Sequence, residues 1–165
     1  IGTKEAKIIV EIKEESEKKQ ERALEFVKSV VEKMGLNAEI DIKEEDGTLF
    51  VNIESPDVGV VIGRRGETLD SLQYLTGLVV NKDSAQWTRV ILDASGYRKR
   101  REESLVDLAK KKAQRVKHTK RKLSLEPMNP QERRIIHTAL QDDPQVTTFS
   151  EGEEPYRRVV IALKK

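Results

Sequence analysis

Val60-Val61-Ile62-Gly63-Arg64-Arg65-Gly66-Glu67-Thr68-Leu69 is the stretch whose reading decides the fold. An apolar run stops at a glycine, two arginines stand between two glycines, and a helix-like pattern follows. Glycines without a Cβ allow backbone to approach a ligand closely. Two guanidinium groups supply charge and forked donors suited to phosphate. The loop therefore reads as a clamp for a phosphodiester backbone, with the competing reading that it is only a tight turn between helices.

Working outward, Asp46-Gly47 separates Ile40 and Ile42 from Leu49, Val51 and Ile53. Period-two alternation on both sides of Asp-Gly is a strong hairpin signal. Ser16 reads as the cap of a helix to about Met34, with Glu17 at its positive end and Gly35 as its stop. Ala23, Leu24, Val27, Val30, Val31 and Met34 recur at helical spacing. Residues 8–12 read as a short strand. After the glycine loop, Leu69, Leu72, Leu75 and Val79 form a helical stripe, and residues 88–93 read as a strand. One sheet with helices packed on one face buries these stripes, so this half is α+β.

Beyond Gly96 the composition changes. Residues 97–123 hold 12 basic and 3 acidic side chains, whereas residues 1–55 hold 9 and 14. Such a cluster is the footprint of a polyanion binder, or else a solvated helix face. A long helix is expected to about Thr119, its stripe Leu105, Leu108, Ala109, Ala113 and Val116 flanked by Lys110, Lys111, Lys112, Arg115 and Lys117. A brief strand near Leu123 and Leu125 follows. Asn129-Pro130 then opens a helix, asparagine as cap and proline at its first position. Within that helix, Arg133 and His137 lie four apart and share a face, with Arg134 beside them. Val146–Phe149 and Tyr156–Leu163 close the chain as a hairpin. Trp87, Tyr97 and Tyr156 read as core or rim residues, not base-stacking platforms.

Val61-Ile62-Gly63-Arg64-Arg65-Gly66 followed by Leu69, in this element order, resembles a KH domain of the bacterial type (type II). That resemblance implies a three-stranded sheet with packed helices. It also implies that Gly63, Arg64, Arg65 and Gly66 clamp about four nucleotides of single-stranded RNA or DNA, with Ile62 and Leu69 among the residues that support or line the groove and residues 88–93 as its other wall. Arg133-x-x-x-His137 resembles the signature of an R-three-H domain, with a small sheet and helices. It implies a second single-strand contact with Arg133 and His137 as signature residues, and the basic residues near them add Arg134, Lys110 and Lys111 to that face by charge.

The two in succession resemble the Jag family of bacterial RNA-binding proteins, associated with sporulation and cell elongation. The expected domains are a short N-terminal remnant or strand over 1–13, a KH domain over 14–96 and an R-three-H domain over 97–165. The family implies a cytoplasmic RNA binder linked to envelope growth, often partnered by a second small KH protein. Family members usually carry a further small N-terminal domain, and the start at Ile1 without methionine reads as a processed or truncated product.

No cofactor or metal is expected. Cysteine is absent and only His118 and His137 are present, so zinc and Cys–His chemistry lack their ligands. There is no Walker-type loop, and neither Ser104 nor Ser124 has an identifiable catalytic partner. No apolar run reaches the roughly 18 residues of a bilayer span. Two rival readings stay open: a protein-interaction scaffold using the acidic 16–34 helix, and a metal-dependent nuclease.

Overall fold

A computed structural model describes residues 2–164, with side chains from Glu15 onward. The chain divides into two compact units, Ile1–Tyr97 and Arg98–Lys165.

The first unit opens with helix α1 (Gly2–Lys33). The expected strand at 8–12 is therefore helical, and Ser16 is not a cap. Ile8, Ile9 and Val10 favour a strand by local propensity, but no glycine or proline interrupts residues 3–34. Ser16 instead donates from mid-helix to the Glu44 carboxylate. Gly35 (φ 80°) ends α1: the Leu36 amide reaches the Val31 carbonyl and the Gly35 amide that of Glu32, a left-handed C-terminal cap. Ala23, Val27 and Val31 are buried, whereas Leu24 faces solvent.

Strands β1 (Glu39–Glu45) and β2 (Thr48–Glu54) pair antiparallel, with Glu45 opposite Thr48. Asp46 (φ 48°) and Gly47 (φ 70°) are both left-handed, as a two-residue type I′ turn requires. The chain crosses through α2 (Gly59–Ile62), a 3₁₀ turn (Arg64–Gly66) and α3 (Glu67–Asn81) to β3 (Arg89–Ala94). β3 joins β2 in parallel, giving the order β1-β2-β3. A parallel pair needs such a crossover, and here the crossover carries the glycine loop. Leu49, Val51 and Ile53 of β2 pack with Leu92 of β3, Ala23 and Val27 of α1, and Leu69 and Leu72 of α3. The buried face of α3 runs Leu69, Leu72, Thr76, Val80. Leu75, expected inside, is 48% exposed beside Tyr74 and Leu78. Thr76 tolerates burial because its hydroxyl donates to the Leu72 carbonyl at 2.7 Å.

The second unit contains most of α4 (Tyr97–Thr119), then β4 (Leu123–Ser124), α5 (Pro130–Leu140), β5 (Val146–Glu151) and β6 (Arg158–Leu163). Its sheet is antiparallel in the order β4-β6-β5. Asn129 caps α5 by accepting from the Glu132 amide at 2.9 Å, with Pro130 in the first turn. Leu105, Ala109, Ala113 and Val116 of α4 meet Ile136 and Leu140 of α5 and Val146, Val159 and Ile161 of the sheet. Among the described residues, no helix is long and apolar enough to cross a membrane.

Candidate nucleic-acid interface

The glycine loop is a run of left-handed backbone. Gly63 lies at φ 69°, ψ −169°, Arg65 at φ 58°, ψ 23°, and Gly66 at φ 84°, ψ 6°. The Gly63 amide closes α2 on the Gly59 carbonyl at 2.9 Å, and the chain then reverses into α3. A Cβ at Gly63 would lie 2.0 Å from Thr68 Oγ1, and one at Gly66 would lie 2.8 Å from the Tyr97 ring. The missing Cβ atoms thus face Thr68 and Tyr97. The glycines are demanded first by the loop's own conformation, which differs from the expectation that they simply leave room for a ligand. Sequence reasoning gave Thr68 no role and read Tyr97 only as a core or rim residue, which its packing against the first core bears out; their contact with the loop depends on where α3 and α4 begin in space.

Arg64 is exposed, and no described side chain pairs with it. Arg65 is half-buried and engaged within the protein. Behind them the N-terminus of α3 has no side-chain cap, so its first amides and the positive end of its dipole meet the loop. Glu67 and Asp70 in the first turn offset part of that potential, which leaves the exposed Arg64 as the main attraction for an anion. Ile62 is half-buried and Val60 exposed beside the loop. Leu69, expected to support or line the groove, is wholly buried in the core and can act on a ligand only by holding α3 in place. On β3, an edge strand of its sheet, Arg89 is exposed and Ile91 and Asp93 are half-buried.

The Arg-x-x-x-His pair is differently disposed. Arg133 is only 8% exposed. Its guanidinium donates to the Met128 carbonyl at 2.8 Å and pairs with Glu154 at 2.6 Å. The expected role as a free phosphate ligand gives way to that of a tie between α5 and the segments on either side. His137 has both ring nitrogens occupied, Nδ1 with Thr148 Oγ1 at 2.7 Å and Nε2 with Ser150 Oγ at 3.0 Å. Burial, and then the Arg133 charge, hold its pKa below the ordinary imidazole value. Thr148 and Ser150 are two apart on β5 and so share a face; that spacing is a signal from which these partners were readable.

Arg134, Lys110 and Lys111 are exposed and unpaired among the described residues. Other cations are already matched: Arg101 with Glu132 at 2.7 Å and Lys117 with Asp143 at 2.6 Å. The Lys117 bond holds the Asp143 carboxyl below its usual pKa. Trp87 and Tyr156, expected in the core or at its rim, are 69% and 70% exposed. Among the described residues, no three His, Asp or Glu side chains converge as a metal site.

Residues 20–92 match the family model for the KH domain of KhpA and KhpB, and residues 103–163 match that for the R-three-H domain. The chain is 51% identical over its whole length to the RNA-binding protein KhpB of Clostridium symbiosum, covering 74% of that protein. It is 35% identical to the KhpB of Bacillus subtilis over 85% of its own length and 68% of the relative's. Against the KhpB of Lactiplantibacillus plantarum it is 37% identical over 87% of its length, but spans only 45% of that protein. With both domains in this order, and a relative sharing half its residues along the entire chain, the protein belongs to the Jag family of KhpB proteins.

Proposed function

We propose that this chain binds single-stranded RNA without catalysing a reaction on it, and that the Gly63–Gly66 loop holds the strand by its backbone. The observation that carries this reading is the exposed, unpaired Arg64 at the uncapped start of α3, in a chain whose relatives are named RNA-binding proteins. Phosphate oxygens there receive helix amides and a forked cation together. Bases lie over Ile62 and Val60 toward the β3 edge. The second unit contributes Arg134, Lys110 and Lys111 as further phosphate ligands, while Arg133 and His137 hold α5 and β5 in register beneath them. Two modest sites on one chain raise each other's occupancy through effective concentration when one strand reaches both.

The family resemblance extends the proposal: a cytoplasmic regulator of RNAs tied to envelope growth, working with a second small KH protein. Single-stranded DNA is a weaker alternative ligand.

The test is fluorescence anisotropy of a labelled single-stranded RNA against wild type, Arg64→Asp, and Arg64→Asp with Arg65→Asp. On single strands the salt slope falls by about 0.7 for each phosphate no longer neutralised, so Arg64→Asp is expected to bind weakly with a slope shallower by about 0.7, and the double variant at least as weakly. Unchanged affinity and slope, with an intact circular dichroism spectrum, would remove the clamp. RNA shortened on adding magnesium or manganese would replace the reading with a nuclease.

A further inference from the structure

At the end of α4 the chain builds a basic pocket that neither signature motif includes. α4 stops at Thr119, and the Lys120 amide closes the last turn on the Val116 carbonyl at 2.9 Å. Lys120 itself is left-handed, at φ 59°, a conformation that costs a non-glycine residue about 1 kcal/mol. That reversal brings Arg121 and Lys122 back beside Arg115 and His118. The result is a concave pocket of about 560 Å³ lined by Arg115, His118, Thr119, Arg121, Lys122 and Leu123.

No acidic residue lines this pocket. Arg115, His118, Arg121 and Lys122 are all exposed, and none of their side chains bonds or pairs with a described group; the Thr119 hydroxyl donates to the Arg115 carbonyl at 2.8 Å. Elsewhere in the unit, Arg101, Lys117 and Arg133 each have a carboxylate within 2.7 Å. Attraction to the negative end of α4 accounts for His118 in its last turn, but that field fades within a turn. It does not account for Arg121 and Lys122, which lie beyond the helix. Three fixed positive charges gathered in one concavity repel one another, and a multiply charged anion relieves that repulsion. Lys111 and Arg115 also follow one face of α4, with His118 a turn further on, so a basic track leads into the pocket. The depression is open to solvent and roomier than a bare phosphate needs.

We infer that this pocket is a phosphate site that receives a sugar-phosphate unit of a single-stranded RNA bound by the same chain. The inference rests on the RNA-binding reading and adds a location to it. The phosphate is either an internal phosphodiester or the strand's terminal phosphomonoester, and both bring the same oxygens to the same donors.

The experiment compares the full chain with a variant carrying Arg115→Glu, Arg121→Glu and Lys122→Glu. A milder variant, Arg121→Gln with Lys122→Gln, guards against misfolding in the first. The probes are an oligonucleotide of about four nucleotides, enough to fill a KH clamp, and a longer strand with either a 5′-phosphate or a 5′-hydroxyl. The triple variant is expected to bind the longer strand about tenfold or more weakly, with a salt slope shallower by about 2, from roughly 0.7 for each of three cations. Binding of the four-nucleotide probe stays unchanged. A 5′-phosphate preference present only in wild type and abolished in the variants identifies the terminal source, and equal binding of the two ends identifies the internal one. Wild-type affinity and slope in both variants on the long strand would overturn the pocket while leaving the loop reading intact, provided Arg64→Asp still weakens binding. Absence of RNA binding by the wild type would overturn both.

Discussion

Substituting Gly63 by alanine separates a glycine kept for the ligand from one kept for the fold. At φ 69°, ψ −169°, Gly63 occupies a region open essentially to glycine alone, where another residue costs about 1–3 kcal/mol. The added methyl also meets Thr68 Oγ1 at 2.0 Å and Thr68 Cβ at 2.7 Å. A rotamer change moves the hydroxyl, but the Cβ is fixed to the first turn of α3, so that turn must shift. Together these effects put the loss at about 3 kcal/mol or more. For a unit of this size each kcal/mol lowers the melting temperature by roughly 4–8 °C, so a fall of over about 10 °C is expected without any RNA present. Trp87 is already 69% exposed in the folded unit, so the melt is followed instead by the backbone amide signals of residues 16–96, which report that unit alone. Arg64→Ala, at an exposed unpaired side chain, serves as the control with a shift close to zero. A Gly63→Ala protein that melts within about 2 °C of wild type yet loses RNA binding would refute the reasoning and restore the ligand-clearance account.

Other consequences concern the second unit. Arg133→Ala leaves the Met128 carbonyl without its donor and is expected to destabilise this unit by about 1–3 kcal/mol in urea unfolding. Arg134→Ala is expected to stay within about 0.5 kcal/mol of wild type and to weaken RNA binding. His137 supplies a pH dependence. Its folded pKa lies below the ordinary 6.5, so above that value both states are neutral and stability is flat. As pH falls below it the unfolded chain takes up the proton first, and stability declines until the folded value is reached. His137→Gln is expected to remove that decline in melting curves between about pH 8 and about pH 5. The contribution of Asp143, whose carboxyl is held below 3.8 by Lys117, is lost only at more acid pH and separates from it.

What could be read before folding follows the range of each physical signal. Asp46-Gly47, Asn129-Pro130 and the glycine loop act on backbone within a few residues, so the hairpin, the α5 start and the break between α2 and α3 were legible from composition and spacing. The continuation of α1 through residues 8–12 was not, because a short β-branched run carries the same local preference whether it ends in a sheet or a helix. Leu24 and Leu75 sit at the margins of helical stripes, where the neighbouring element, and not the 3.6-residue period, decides burial. The least legible feature was the fate of Arg133. Its carboxylate partner Glu154 is 21 residues away, in the turn that joins β5 to β6, and only the folded second unit brings them together.

Mapping backbone amide shifts as single-stranded RNA is added to isotopically labelled protein tests the central claim most directly. The largest changes are expected at residues 63–68, fading as salt rises, with a second set around Arg115–Lys122. Shifts confined to α1, or none at the glycine loop under saturating RNA, would contradict it.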